Sequence, residues 1–451
     1  MRATIPEQFP LVPVAIDHGH ACELRTMSAT LDAHLECAQL VYGDMIRGVK
    51  NPGKGRRGMS GDQVLRALLV KQLRGFSYDL LAFHLADSST YRAFCRVGTF
   101  DEVPSASTLQ RNIKRVRPDS LERINAIMVQ HAQDIGMESG SKVRFDCTVT
   151  ESNIHPPTDS MLLWDCVRVL ARLLERAREL VRFAFSNHTR RAKRRSIGIM
   201  NTKGKKARKK LYRDLLKISH KTVGYAERGA AALDGFTGDD LSERARAMTL
   251  AKELRHYAEL AARTVDQTRR RVIHGETVPA RDKVVSIFEE HTDIIRKDYR
   301  DTYYGHKICL GAGASGLITD CTVLDGNPAD STLAVDMVER HTKLYGVAPK
   351  QVALDGGFAS KQNLADIKAL GVEDCCFSKG RGLAVTDMVK STRVYRHLRN
   401  FRAGIESCIS FLKRSFGLDR CTWRGLPSYK AYVWGSIVSA NLLVIARHVL
   451  G

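Results

Sequence analysis

Three acidic residues that lie far apart in the chain have the types and settings needed for metal-assisted chemistry. Asp146 stands in VRFDCTVT, Asp355 ends QVALD, and Glu406 lies in FRAGIESCISFLKR. Carboxylates brought together from strands and a helix can hold two divalent cations, which activate a water and stabilise the leaving oxygen of a phosphodiester. We therefore expect Asp146, Asp355 and Glu406 to be both the catalytic residues and the metal ligands.

Two basic residues accompany Glu406. At about 100° per residue, Arg402, Glu406 and Lys413 fall within about 40° of one another on a helix. This face would present Arg402 with forked hydrogen bonds and Lys413 as a point charge to DNA phosphates. The plainer interpretation is a surface ion-pair set. His306 and Lys307, at the start of a predicted strand, are secondary candidates for contacts near the site.

Other aspartates compete for these roles, because a lone aspartate at a strand end is often a cap or turn residue. Asp159 is the rival of Asp146, and the rivals of Asp355 are Asp320, Asp325 and Asp330. We favour Asp355 because it ends an apolar strand and precedes two glycines, which allow a ligand to approach closely.

The elements around these carboxylates alternate between strand and helix patterns. The β-branched run KVRFDCTVT predicts one strand, and KVVSIFEE (283–290), YYGHKICLGA (303–312) and GLITDCTVL (316–324) predict three more. APKQVALD and DCCFSK add two, with helical patterns between and after them. The sequence therefore predicts an α/β fold.

The N-terminal region, residues 1–138, has helical patterns only. Ser60 and Gln63 form a capping-box start, and Gly75 ends that helix. The segment after Pro104 begins again with a serine cap. Its outward basic residues, which we predict to contact DNA, are Arg111, Lys114 and Arg115. Short helices that end in a basic one indicate a helix-turn-helix, and a plain helical bundle with a solvated charged face is the alternative.

A second helical region, residues 161–279, interrupts the strand patterns and contains the most basic segment. Eleven of the 21 residues from Arg190 to Lys210 are Lys or Arg. Such a run is either solvated or in contact with phosphates. The residues that we predict to bind DNA here are Arg194, Arg195, Lys205 and Lys206.

Composition indicates the partner. The chain has 71 Lys and Arg against 49 Asp and Glu, a net charge of +22 over 451 residues. Nucleic acid is the simplest partner for such an excess, with an acidic membrane surface as the rival. No secretory signal opens the chain, and the apolar stretch Ala431–Ala446 predicts a buried helix too short to span a bilayer. The 11 cysteines form no C-x-x-C pair, so we expect reduced thiols and a cytoplasmic, nucleoid-associated location.

The three carboxylates and their surroundings resemble the DDE transposases of bacterial insertion sequences, from about Val143 to the end of the chain. The spacing of Arg402, Glu406 and Lys413 is similar to the tyrosine-arginine-glutamate-lysine signature of one large transposase group. The runs DGGF and NIHPPTDSMLL look like that group's second and first aspartate regions. Overall the chain is most similar to the "ISNCY" insertion sequences, and Arg399 stands where the signature has its tyrosine.

The resemblance implies a ribonuclease-H-like core, with a mixed sheet flanked by helices, made of residues 139–160 and 280–451. It also implies Mg²⁺ as the cofactor, two ions per site, with Mn²⁺ as a possible substitute. The expected activity is cleavage at the ends of the element followed by strand transfer into target DNA. Because two ends must be joined, a homodimer or larger synaptic complex is expected. A nuclease that does not join DNA and an inactive, transposase-derived regulator are the alternatives.

Overall fold

This computed structural model describes residues 16–51, 58–98, 101–297 and 301–451, and the described N-terminal part is helical. These helices are α1 (Gly19–Ala33), α2 (Leu35–Ile46), α3 (Gly61–Arg74), α4 (Tyr78–Asp87), α5 (Ser89–Phe94), α6 (Ala106–Ile113) and α7 (Pro118–Asp134). The predicted capping box is confirmed, because the side chains of Ser60 and Gln63 each bond the other's backbone N–H. Gly75 ends α3 with a φ of 63°, a left-handed conformation that favours glycine.

The first strand, β1 (Lys142–Glu151), is followed by a long helical segment. Its helices are α8 (Asp159–Arg178), α9 (Thr189–Asn201), α10 (Lys205–Asp234) and α11 (Leu241–Thr268). A π-helical turn, Arg269–His274, continues α11. Buried leucines, valines and alanines of α8, α10 and α11 share one apolar core. The chain then enters β2 (Asp293–Lys297).

The remaining elements return to the alternation that the sequence predicts. They are β3 (Asp301–Gly313), β4 (Ile318–Val323), α12 (Ala334–Tyr345), β5 (Gln351–Leu354), α13 (Lys361–Ala369), β6 (Asp374–Phe377), α14 (Val385–Met388), α15 (Thr392–Phe416) and α16 (Leu426–Leu450). β3 pairs antiparallel with β2 through its first residues and with β4 through its last. On its other side the order is β3, β1, β5, β6, and the β1–β5 and β5–β6 pairs are parallel. The fold is therefore α/β, with a mixed sheet flanked by helices and a mostly helical chain.

The described residues divide into two compact units. One contains the chain up to Glu151 together with Lys307–Gly451, and the other contains Ser152–His306. The described part of the predicted N-terminal region 1–138 thus shares a compact unit with β1, β4, β5 and β6. The predicted insertion, 161–279, lies within the second unit. The boundaries that we predicted for functional domains remain a proposal.

The strand predicted at 283–290 is wrong, because these residues form turns and irregular structure. Their backbone is satisfied by side chains instead of a neighbouring strand. The amide of Gln267 bonds both the N–H and the carbonyl of Val284, and the hydroxyl of Ser286 accepts from the N–H groups of Phe288 and Glu289. The apolar pattern arises because Val284 and Ile287 pack in the core of the helical unit.

The C-terminal helix α16 is the main buried element of the first unit. Its 25 residues are long and apolar enough to cross a membrane, but 72% of its most apolar window is buried inside the protein. Asn441, 1% exposed, bonds the backbone of Ile318 on β4 and the side chain of Asn125 on α7. These contacts are those of a core helix, as predicted from the stretch Ala431–Ala446.

Candidate active site

Parallel pairing of β1 with β5 brings the first two predicted carboxylates to neighbouring positions. Phe145 lies opposite Leu354 in the register, so Asp146 and Asp355 are the next residues on adjacent strands. Asp146 lies within β1, whereas Asp355 follows the end of β5. The apolar residues that precede them, Phe145 and Leu354, are fully buried and anchor the backbone that carries both aspartates.

Helix α15 supplies the third carboxylate and packs against β1, β5 and β6. The approach to β1 is close at Gly404, where any Cβ would overlap the guanidinium of Arg144 on β1. Arg144 donates to the carbonyl of Phe401 at 2.7 Å and lies 4.6 Å from the centroid of its ring. These contacts hold α15 at the depth and rotation that point Glu406 towards the ends of the strands.

Arg402 joins the three predicted carboxylates. Its Nη2 lies 2.9 Å from Asp146 Oδ2 and 3.3 Å from Asp355 Oδ1, and its Nη1 lies 2.9 Å from Glu406 Oε1. The side chain of Arg402 is 14% exposed, whereas that of Glu406 is 67% exposed. Three carboxylates, from β1, the end of β5 and α15, therefore converge on one cationic group.

The surroundings of Asp355 keep it ionised. Partial burial works against the charged form, but the hydroxyl of Ser378 donates to Oδ1 at 2.8 Å and Arg402 adds its charge. The nearby backbone N–H groups of Gly356 and Gly357 also favour the charged form of the carboxyl. Together the hydrogen bonds and the guanidinium outweigh the burial and hold the pKa of Asp355 below its usual value.

The rival aspartates have other partners. Asp320 is bound by Arg340 through two 2.6 Å hydrogen bonds, and Asp159, in the second unit, pairs with Arg271 at 2.9 Å. Asp330 is the rival that lies near the site, because a Cβ on Gly357 would come within 2.6 Å of its Oδ2. Asp325 is exposed.

The secondary candidates His306 and Lys307 take part in local networks. His306, 1% exposed, lies 2.7 Å from a nitrogen of His291 and 3.1 Å from Asp293, all in the second unit. Lys307 donates to the carbonyl of Pro328 at 2.7 Å and pairs with Asp330. Lys307 also lies near Cys147, the residue after Asp146.

The predicted DNA-contacting residues occupy several surfaces. Lys413 lies on α15, and its amine is 3.4 Å from a carboxylate oxygen of Asp419. Arg111 and Lys114 are exposed at the end of α6, whereas Arg115 donates to the carbonyl of Met45 at 2.6 Å. Of the predicted contacts in the second unit, Arg194, Lys205 and Lys206 are exposed. Arg195 is engaged there by Asp214 at 2.5 Å.

Sequence reasoning missed two groups that support the site. Ser378 follows β6, and since Phe377 lies opposite Leu354, the register alone places Ser378 beside Asp355. Tyr395, one turn before Arg399 on α15, directs its hydroxyl at the carbonyls of Phe377 and Ser378. The predicted strand DCCFSK could have identified Ser378, because this serine follows that strand. The contact of Tyr395 depends on how α15 packs, which the sequence pattern does not give.

The donor set suits a hard divalent cation, because all three groups are carboxylates. Among the residues that the structure describes, no three His, Cys, Asp or Glu side chains are grouped closely enough to hold one metal ion. The carboxylates instead share the guanidinium of Arg402. A cation bound by all three would therefore take over the position and the charge that Arg402 now supplies.

Two models of known protein families match parts of the chain. Residues 277–442 match the family model of a transposase DDE domain, and residues 15–115 match that of a transposase domain called DUF772. Asp355, Arg402 and Glu406 lie within the first match, and Asp146 lies outside both. No curated protein and no solved structure matches the chain.

Proposed function

The chain belongs to the DDE transposases of insertion sequences, and from that premise we propose that it cuts DNA at the ends of its element and joins them to target DNA. The convergence of Asp146, Asp355 and Glu406 on Arg402 is the observation that carries this proposal. The strand order and the position of α15 also fit a ribonuclease-H-like core, of the ISNCY type suggested by the sequence.

We assign the metal ligands to the same three carboxylates. Two Mg²⁺ ions, or Mn²⁺ in their place, would supply an activated water and charge stabilisation at the leaving oxygen. Asp355, whose pKa is held low, is ready to bind a cation at neutral pH without first losing a proton. Ser378 keeps the Asp355 carboxylate oriented, and Gly404 keeps Glu406 within reach of the strands.

We assign contacts with DNA to basic residues of both units. Arg402, once released from the carboxylates, and Lys413 would hold phosphates next to the reacting bond. Arg111, Lys114 and Arg115 would act in a helix-turn-helix that binds the element ends. The remaining predicted contacts are Arg194, Arg195, Lys205 and Lys206 in the second unit. We assign His306 and Lys307 a supporting role, in which they stabilise β3 and its surroundings.

The proposal extends to assembly and location. Joining two ends requires both in one complex, so we assign the active form to a homodimer or larger synaptic complex. DNA in the cytoplasm and nucleoid is the partner that the charge of +22 fits.

The deciding experiment measures cleavage and strand transfer on DNA that carries the ends of the native element, with Mg²⁺ or Mn²⁺. We expect joined products from the wild-type protein and a loss of at least about 10³-fold in Asp355→Asn, which keeps the side-chain shape but removes a ligand charge. Asp325→Asn, the same change at an exposed rival, should retain activity.

The alternatives give different results in the same assay. Cutting without joined products would identify a nuclease. Binding to the ends with no cutting by the wild-type protein would identify a regulator. Equal activity of Asp355→Asn and wild type would remove Asp355 from the site.

A further inference from the structure

A cleft of about 860 Å³ opens in the first unit, away from the carboxylates. It lies between the end of α3, the first turns of α4 and α6, and the end of α15. The lining groups that matter here are Lys71, Tyr78, Ser105, Ser107, Lys114 and Trp423. Nothing in the chemistry proposed for the three carboxylates uses this space.

Side chains that form the wall of this cleft carry hydrogen-bond donors that the described residues do not satisfy. Lys71 is 6% exposed, and its amine lies 5.0 Å from the centroid of the Tyr78 ring. No carboxylate of the described residues pairs with this amine. Trp423 is 3% exposed, and neither its indole nitrogen nor the hydroxyl of Tyr78 has a hydrogen-bond partner in the described part of the chain.

Burying such donors is unfavourable unless a partner is supplied. Burial lowers the pKa of Lys71 to about 8, which leaves most of the amine charged at neutral pH. A buried cation and two unused donors in one open cleft therefore indicate an anionic ligand with several acceptor oxygens.

Two helix N-termini also favour an anion in the cleft. Ser77 caps α4 and Ser105 caps α6, and the first turns of both helices line the cleft. The first N–H groups of a helix have no acceptor within the helix and carry partial positive charge. Asp79, in the first turn of α4, is the acidic residue among the lining groups, against Lys71 and Lys114.

The end of α15 does not oppose an anion. Although the last carbonyls of a helix carry partial negative charge, those of Phe416 and Gly417 already accept hydrogen bonds. Ser436 donates to Phe416 and Tyr432 donates to Gly417, both at 3.0 Å. These two carbonyls at the end of α15 therefore already have donors within the protein.

We propose that this cleft binds a phosphate group of the substrate DNA. This inference rests on the proposed function for the identity of the ligand. Glu406 and Phe416 are ten residues apart on α15, which is about 15 Å at 1.5 Å per residue. A DNA strand advances about 3.4 Å per nucleotide, so the phosphate in the cleft would lie roughly four to five nucleotides from the bond at the carboxylates.

The test measures DNA affinity with the full-length protein and element-end DNA in which single phosphates are replaced by neutral methylphosphonates. Neutralising the phosphate about four to five nucleotides from the cleaved bond should weaken binding by the wild-type protein about tenfold. The same replacement should have little effect on Lys71→Met, which already lacks the amine. Lys343→Met, the same substitution on the exposed face of α12, should behave as wild type.

Trp423→Phe provides a second variant, because it keeps the ring in the core and removes the N–H donor. A several-fold loss of affinity that depends on the same phosphate is expected. Thermal unfolding establishes that both variants are folded before affinity is compared.

Two results would overturn the proposal. One is equal sensitivity of wild type and Lys71→Met to every methylphosphonate position. The other is stabilisation of the wild type alone by inorganic phosphate with unchanged DNA affinity in Lys71→Met, which would assign the cleft to a free phosphate compound. Because the assay measures binding, a phosphate effect without any cutting would support the cleft while contradicting the proposed catalysis.

Discussion

Arg402 is the residue on which the candidate site depends in the absence of a metal. A single guanidinium contacts carboxylates from β1, the end of β5 and α15. Without it, three acidic groups would face one another with no cation between them, which is unfavourable for their charged forms. Arg402 therefore supplies charge compensation that a bound cation can replace.

Arg402→Gln should lower the free energy of unfolding by roughly 1–3 kcal/mol in metal-free buffer. The value lies between those for exposed and buried ion pairs, because Arg402 is mostly buried and Glu406 is mostly exposed. Adding Mn²⁺ should raise the unfolding temperature of Arg402→Gln more than that of the wild type. Thermal unfolding with and without Mn²⁺ measures both effects.

A matched control is Arg340→Gln, which also removes an arginine that forms an ion pair with a carboxylate, here Asp320. That variant should lose stability without gaining any response to Mn²⁺. An identical Mn²⁺ response in Arg402→Gln and the wild type would show that the guanidinium and the cation do not compete.

At the scale of elements, the site depends on the close approach of α15 to β1. Gly404 on the helix leaves room for the Arg144 side chain from the strand, which in turn bonds the carbonyl of Phe401. Packed interiors resist added volume, so a single methyl group at this contact would displace the helix or the arginine. A displacement of the helix would move Glu406, which lies two residues further along α15.

Gly404→Ala should lower the free energy of unfolding by about 1–3 kcal/mol, although alanine is the better helix former by up to about 1 kcal/mol. DNA cleavage should fall more than stability alone explains, because the third carboxylate is misplaced. Denaturant unfolding and the cleavage assay test the two statements.

Gly43→Ala on α2 is the control, since nothing lies within 4 Å of an added Cβ there. It should be neutral or slightly stabilising. Full activity of Gly404→Ala would mean that the approach of α15 to β1 tolerates adjustment.

The sequence was informative about elements whose signal is local. The capping residues of α3 and α6, the strands around Asp146 and Asp355, and the Glu406 helix all have clear local patterns, and the structure confirms them. The strand predicted at 283–290 failed because its apolar residues pack against helices and Gln267 satisfies its backbone. The shared contact of Arg402 could not be predicted, because helical spacing gives the face of a residue and not its partner across the sheet.

At the scale of the whole molecule, the excess of basic residues is distributed over both units. In the second unit, exposed basic residues precede and begin α10, whose first turn contains no acidic residue. Cations at a helix N-terminus are unfavourable, so a phosphate bound there would relieve repulsion as well as add contacts. Binding to DNA should therefore depend strongly on salt.

Replacing Arg194, Lys205 and Lys206 together by Gln should reduce the slope of log affinity against log salt concentration by about 2–3, since each phosphate contact contributes about 0.9. Fluorescence anisotropy over a range of salt concentrations measures this slope. The control replaces Lys217, Lys252 and Arg263, which are also exposed residues of the second unit. Equal slopes in the two triple variants would show that Arg194, Lys205 and Lys206 face solvent and do not contact DNA phosphates.

The position of α16 has a consequence for how the protein is made. Its buried residues complete the core formed by α1 to α7, and Asn441 bonds both Asn125 and the backbone of β4. The N-terminal helices therefore remain without much of their core until α16 has been synthesised. A prematurely terminated product would leave that apolar surface exposed, which favours aggregation or degradation. Truncated copies of the gene should consequently fail to yield a stable DNA-binding fragment that could compete with the intact protein.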